Sequence, residues 1–318
     1  MKKCTLLLAF LVLLNVSSHA WNKRGHMLAA SIAYDQMSDT RTAMFTELLK
    51  QHLYVDDWME DYKKESGIEL GRYLFMRAAA WADDIRSRSD DFPFVNESWH
   101  YTNFRVDFNS GHNTKRISPQ ADILYAMSWG KRLMTEKWNS ESGKSGFRYN
   151  DGYKALAFSW LLHLIGDIHQ PLHCATLFNE VYPDGDDGGN KVCIRKDQKA
   201  KTDYSLHTFW DQLPGSNDVS LKTIVKQGKE IEEKLSQVEY EKLTEVSPYE
   251  WAYESHRLAI VNVYQNGIIG NDQTYKAKDL CPVLPENYEE NAEQLAEKQL
   301  YFAGKRMAAF LIKLQWVD

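Results

Sequence analysis

The sequence predicts an all-α fold, a single mainly helical domain. Three observations predict it. Apolar residues recur at helical spacing along almost the whole chain after residue 20, several of these stretches follow polar or proline helix-start signals, and neither an internal repeat nor a linker long enough to separate two domains interrupts them.

Residues 1–20 read as a signal peptide rather than as part of the fold. Lys2 and Lys3 give a basic start, Leu6 to Leu14 is an apolar run too short to span a bilayer, and Ser18-His19-Ala20 supplies small residues for cleavage. Cys4 precedes the apolar run, so no lipid-attachment cysteine is present, and Trp21 is the expected mature N-terminus. Later segments are not apolar enough to cross a membrane, so the expectation is a secreted or periplasmic protein without stable membrane association.

The domain at 21–318 is expected to hold helices near 23–36, 39–52, 68–87, 119–137, 150–169, 204–213, 219–245, 248–266 and 287–315. Ser38-Asp39 starts the second, Ser118-Pro119 the fourth and Asn150-Asp151 the fifth. Ala155 to Ile168 is apolar on almost every face, which marks a central buried helix. The charged stretch at 226–246 reads as a solvated surface helix. Loops are expected at 138–150 and 178–203, where Pro183 to Asn190 cannot form a regular helix, and Lys191 to Arg195 as a short strand.

Without residues 1–20 the chain carries 36 basic against 44 acidic side chains, a net charge of −8. That balance argues against a broad basic face that grips duplex nucleic acid by counterion release. An anionic ligand would have to meet a local site, where metal ions could supply positive charge. Cys174, Cys193 and Cys281 remain in an exported chain, which permits one disulfide; Cys174–Cys193 closes the shortest loop and is the favoured pair of three.

Histidines and aspartates fall into a pattern. His163 and Asp167 are four apart on the apolar helix and share a face, Pro171 should end that helix and redirect His173, and His207 with Asp211 repeats the four-residue spacing. Asp83, His100 and His26 add further candidates. A single such pair is more often an ion pair than a metal site. Two pairs, a nearby third histidine and an apolar helix that bears both His and Asp need a common compensation. Neutral imidazole and carboxylate are the ligands of catalytic zinc.

Trp21-Asn-Lys-Arg-Gly25-His26, Trp81-Ala82-Asp83, Trp99-His100-Tyr101, His163-Leu-Ile-Gly-Asp167, Gln170-Pro171-Leu172-His173, Gly188-Gly189-Asn190 and His207-Thr-Phe-Trp-Asp211 resemble the zinc-dependent type I nucleases. These are secreted, single-strand-preferring nucleases and 3′-nucleotidases of fungi, plants, protists and bacteria. The resemblance runs in order from Trp21 to Asp211. It implies the helical domain shared by zinc phospholipase C and type I nucleases, and a hydrolase that takes single-stranded DNA or RNA and nucleotides as substrates. It also implies three zinc ions. Asp83, His100, His163 and Asp167 would hold one, the α-amino and carbonyl groups of Trp21 with His26 and the shared Asp167 a second, and His173, His207 and Asp211 the third. Asp83 would orient the attacking water and Arg86 would contact phosphate. Tyr101 would stack on a base, and Asn190 would lie at the cleft. Asn103 stands where fungal members carry a base-binding acid, so their base preference does not transfer. His169 is expected to be structural, and His52, His112 and His256 surface or core. No protein partner is implied.

Two alternatives stand beside this reading. A zinc phospholipase C has its first histidine farther from the N-terminal tryptophan and a glutamate as the last ligand, unlike His26 and Asp211. A non-catalytic zinc-binding secreted protein would be expected to lack Asp83 or Arg86, and neither is lost.

The N-terminal ligand gives the first test. An α-amino group ligates metal only when it is free, so protein carrying one extra residue before Trp21 should lose one zinc and most activity. Metal analysis and assay of the authentic and extended forms check this, and full activity in the extended form would refute it.

Overall fold

The computed structural model describes residues 21–64, 67–86, 96–109, 115–118, 120–135, 151–196, 203–237, 247–276 and 281–314. The expected signal peptide, the 138–150 loop and His112 therefore lie outside the described residues. The helices are α1 Lys23–Asp35, α2 Asp39–Leu49, α3 Val55–Lys64, α4 Leu70–Arg86, α5 Ile123–Thr135, α6 Asp151–Asp167, α7 Leu206–Asp211, α8 Leu221–Lys234, α9 Pro248–Leu258 and α10 Tyr288–Lys313. None is long and apolar enough to cross a membrane.

Helix α6 is the axis of the core. Ala155 to Ile165 is buried on every face, with α4 and α5 packed along it. Helix α1 packs on α4 and α10, and the last contact is close: a Cβ on Gly304 would lie 2.8 Å from the Ala29 carbonyl oxygen. Stacked Phe45 and Phe158, with Phe75 edge-on to the latter, fill the space between α2, α4 and α6. A second apolar cluster gathers Leu177, Tyr182, Trp210, Tyr264 and Tyr288 around the loops that follow α6.

Small sheets tie these loops together. Strand β1 (Phe104–Val106) pairs in parallel with β2 (Ala175–Leu177), Phe104 opposite Ala175. Strand β3 (Cys193–Ile194) pairs antiparallel with β4 (Tyr204–Ser205). The strand expected at Lys191 to Arg195 is thus present but shorter, and residues 204–205 are strand rather than helix.

Several expectations need correction. Helix α3 was not anticipated, because its charged sequence offers few apolar positions; Trp58, buried against Tyr73 and His52, fixes it. Helix α5 starts at Ile123, not near 119. Asp122 Oδ1 accepts the N–H groups of Leu124 and Tyr125 as its cap, while the Ser118 hydroxyl is taken by Thr102 and by the Asn103 N–H. Helix α8 is not simply solvated, since Leu221, Ile224, Gly228 and Ile231 are buried at helical spacing, Gly228 against Ile32 and Leu28 of α1. After α9 the chain makes a π-helical turn, Ala259–Val263, so the helix expected to 266 ends at Leu258.

The disulfide also differs. Cys193 bonds Cys281, and Cys174 is a free buried thiol whose sulfur faces the Ile168 carbonyl 3.5 Å away. Residues 193–195 lie beside 281–284, where Arg195 N–H donates to the Pro282 carbonyl and Leu284 N–H to that of Arg195. That pairing brings together two cysteines 88 residues apart, and loop length alone favoured the wrong one.

A cross-link over so long a loop should stabilise mainly by restricting the unfolded chain. C281S should cost about 2–4 kcal/mol in denaturant unfolding without reductant, and reductant should leave it unchanged. C174A should keep the full response to reductant. Equal stability of C281S and wild type would contradict the pairing.

Candidate metal centre

Five side chains meet behind the C-terminal half of α6. His163 and Asp167 project together from α6, His26 comes from α1, Asp83 from the last turn of α4, and His100 from a 3₁₀ turn, Glu97–His100. His26 Nε2 lies 3.2 Å from Asp167 Oδ1 and 3.8 Å from Asp83 Oδ2. His163 Nε2 lies 3.2 Å from Asp167 Oδ2, 3.8 Å from Asp83 Oδ1 and 3.0 Å from His100 Nδ1. His100 Nδ1 is itself 3.0 Å from Asp167 Oδ2. Glycine at 166 admits this approach, because a Cβ there would meet His26 Nδ1 at 2.6 Å.

A second group forms where α6 stops. Pro171 opens a 3₁₀ turn, Pro171–Cys174, capped by the Gln170 side chain, and His173 swings off the helix line as the proline predicts. His173 Nε2 comes within 3.1 Å of His207 Nε2, and His207 Nε2 lies 3.4 Å from Asp211 Oδ2 on α7. Gln170 Nε2 donates to Asp211 Oδ1 at 2.7 Å. Trp21 is fully buried nearby, and the Asn22 N–H donates to the Asp211 carbonyl at 3.0 Å.

The imidazoles are oriented from behind. His163 Nδ1 donates to Ala79 O at 2.9 Å, His173 Nδ1 to His100 O at 2.6 Å, and His207 Nδ1 to Gly188 O at 2.6 Å. At His173 and His207 the carbonyl favours a tautomer that leaves the Nε2 lone pair pointing inward, the arrangement metal-ligating histidines require, and at His163 it fixes the ring orientation.

Charge supplies the fit test for a metal. Asp167 and Asp211 are buried completely or nearly so, and only a few hundredths of their surface reaches solvent. Burial pushes the Asp211 carboxyl well up, with Asp83 and Asp167 adding to it against the Gln170 hydrogen bond. Burial would raise Asp167 too, but His163, His100 and His26 hold it well below the usual carboxylate range. Burial lowers His26 and His173, takes His100 down to about 4, and with His173 takes His207 down to about 3. His163 is the exception: burial pulls it down, yet Asp167 and Asp83 outweigh that and set it at about 9. Four neutral imidazoles, those of His26, His100, His173 and His207, thus face buried carboxylates, and their lone pairs crowd one interior. His26 Nε2 and Asp167 Oδ1, moreover, converge without hydrogen-bond geometry. Divalent cations fit this donor set, which holds three groups of His and Asp with ligand atoms in common reach: His26, Asp83 and His163; His100, His163 and Asp167; His173, His207 and Asp211.

A cleft of about 220 Å³ opens onto both groups. Arg86, Glu97, His100, Tyr101, Asn103, Leu172, His173, Asp187, Gly188, Asn190 and His207 line it. Tyr101 and Asn190, with Asn103 at the position of the family's base-binding acid, are on its wall. Arg86 is the only lysine or arginine among the described residues that line it, and its Nη1 lies 3.8 Å from Asp83 Oδ1. Glu97, Asp187 and the supporting Gln170 carry no expectation from spacing, since nothing local distinguishes them from other loop polar residues. His169 is structural as expected: its Nδ1 donates to Ile165 O at 2.7 Å, and Arg306 Nη1 approaches its Nε2 at 3.1 Å. His52 and His256 are core.

A helical scaffold around a buried His–Asp cluster beneath an open cleft defines a candidate metallohydrolase. A sequence profile of the S1/P1 nuclease family matches residues 21–315, and the chain belongs to that family. It is 25% identical to Endonuclease 4 of Arabidopsis thaliana over 306 residues, 92% of this chain and 89% of that protein. It is 27% identical to Endonuclease 1 of the same plant over 218 residues, 65% of this chain and 58% of the relative. It is therefore a nuclease, a hydrolase of phosphodiester bonds, in a family whose members are zinc-dependent.

Gln170 touches Asp211 and caps the turn that carries His173, so its loss should loosen one ligand group only. Q170A should weaken metal binding about 10-fold or more, as loss of a supporting hydrogen bond to a ligand does. Chelator competition measures this; an unchanged affinity would remove Gln170 from the site.

Proposed function

We propose that this nuclease is exported and uses three zinc ions to hydrolyse single-stranded DNA and RNA, and 3′-nucleotides, releasing 5′-phosphorylated products from the polymers. One observation carries the reading: a single cleft is lined by His100, His173 and His207 from both ligand groups, by the cationic Arg86 and by the aromatic Tyr101. Metal, phosphate and base each have a partner there.

The proposed ligand sets are Asp83, His100, His163 and Asp167 for one ion, Trp21 with His26 and Asp167 for a second, and His173, His207 and Asp211 for a third. The contacts of Asp167 with His26, His100 and His163 support its bridging place. Bound zinc would act as a Lewis acid and bring the pKa of water toward neutrality. Asp83, nearly buried beside Arg86, would orient the attacking water. Arg86 binds a non-bridging phosphate oxygen. Tyr101 offers a half-buried ring for stacking; burial, then Glu97 and Asp187, raise its phenol, so the ring stays neutral. Asn103 and Asn190 offer hydrogen bonds to the nucleotide.

Export rests on residues 1–20 as a signal peptide, with 21–318 as the nuclease domain. Family resemblance begins at Trp21, and the Cys193–Cys281 bond suits an oxidising compartment.

Purified mature protein assayed on single-stranded DNA, RNA, duplex DNA, 3′-AMP and phosphatidylcholine, with and without chelator, tests the proposal. Elemental analysis should give about three zinc per chain. Single strands should be cut fastest, and chelator should abolish activity. Y101A should raise KM about 10-fold with kcat little changed, the loss expected of one base stack. Equal cleavage of duplex, or turnover of phosphatidylcholine alone, would overturn the assignment.

A further inference from the structure

The loop at 183–190 departs from the helical architecture, and its central acid is not on the cleft. Asp186 is fully buried. Its Oδ1 accepts the Leu177 N–H at 2.9 Å and its Oδ2 accepts the Tyr264 hydroxyl at 2.7 Å. Its own N–H donates to the Leu177 carbonyl at 3.1 Å, and its carbonyl accepts the Lys191 N–H at 3.0 Å. The Asp186 end of the turn is thereby tied to β2 and to the residue that follows the π-helical turn, and the Lys191 end closes back onto Asp186.

Between these ties the backbone is left-handed at Asp187, Gly188 and Gly189, with φ of 55°, 60° and 84°. Such a path is costly for a non-glycine residue and is held only where the surroundings impose it. A Cβ on Gly188 would meet the Leu172 carbonyl oxygen at 2.7 Å, so the turn lies directly on the segment that carries His173. In this conformation Gly188 O receives His207 Nδ1–H, and Gly189 O receives the His207 backbone N–H at 3.4 Å. The Lys191–Asp187 ion pair is exposed and can contribute little to this fixation.

We infer that Asp186, held by the Tyr264 hydroxyl, is a positioning residue that sets the His207 imidazole for metal binding through the Gly188 carbonyl. The inference rests on the metal-binding reading of His173, His207 and Asp211. Burial raises the Asp186 carboxyl to about 6, against the pull of Tyr264 and the backbone donors, so at neutral pH it is an anion that needs those donors. Tyr264 lies in the C-terminal third, which carries no metal motif. Through Asp186 that third reaches the metal centre. Removing the hydroxyl frees the carboxylate to move and relaxes the turn, and the His207 ring loses its fixed Nδ1 acceptor.

The test uses mature full-length protein and the variants Y264F, D186N, D186A and H207A. Zinc affinity is measured by competition with a chromophoric chelator, kcat and KM on a single-stranded oligonucleotide, and thermal melting on zinc-stripped protein. Y264F should weaken about 10-fold the zinc that H207A loses, and lower kcat at limiting zinc, with KM within about twofold and kcat restored by excess zinc. D186N keeps an acceptor for Leu177 and can donate to the Tyr264 oxygen, so it should retain most of the affinity that D186A loses. Added to H207A, Y264F should change zinc affinity no further. Y264F that melts earlier yet binds zinc as wild type does would overturn the inference alone, even if D186A fails to fold. Wild-type protein with no zinc at this group would overturn the metal reading, and the inference with it.

Discussion

The structure is organised around the burial of carboxylates in a helical core. Asp167 projects from an α6 that is buried on every face from Ala155 to Ile165, and Asp211 is raised by the same desolvation at the end of α7. An anion in such surroundings costs several kcal/mol unless a counter-charge or a full set of hydrogen bonds meets it. The imidazoles around them are kept neutral by burial, His163 excepted, so they bring lone pairs rather than charge. Those lone pairs, gathered beside buried carboxylates, are what a cation would meet there, and the remaining architecture serves to hold them in place.

Helices and irregular segments divide this work by geometry. A helix places residues four apart on one face, which sets His163 over Asp167 and His207 over Asp211. It cannot turn one ligand back toward another across a second axis. The 3₁₀ turns at Glu97–His100 and Pro171–Cys174 do this, and the β1–β2 pair locks their exits side by side. Thr102 N–H donates to His173 O, and the Asp122 carboxylate gathers Thr102, Arg116 and the start of α5, so the wall that bears Tyr101 and Asn103 is braced from behind. The cleft exists where helical order stops.

The C-terminal third has no motif of its own but supports the site from outside. Gln299 Nε2 donates to His169 O, and Arg306 meets His169 Nε2 while pairing with Glu254, so α10 grips the turn between Asp167 and Gln170. Tyr264 does the same for the loop at 186–191. These contacts give the distal helices a mechanical connection to residues near the metal groups, where packing alone would leave the connecting loops free to shift.

Sequence alone determined the helical class, the central position of α6, the paired His–Asp spacings and the break at Pro171, because each is a local property of a few consecutive residues. Spacing could also mark His26, Asp83 and His100 as candidates, and resemblance could order them into ligand sets, but neither could bring them together. Tertiary structure decided what depends on partners distant in the chain: Cys281 rather than Cys174 for Cys193, Asp122 rather than Ser118 as the cap of α5, Trp58 as the anchor of α3, and Gln170 on Asp211. It also decided which backbone carbonyl holds the rings of His163, His173 and His207. A carbonyl is the same group at every residue, so its identity as a ligand's support is written only in the fold that carries it there.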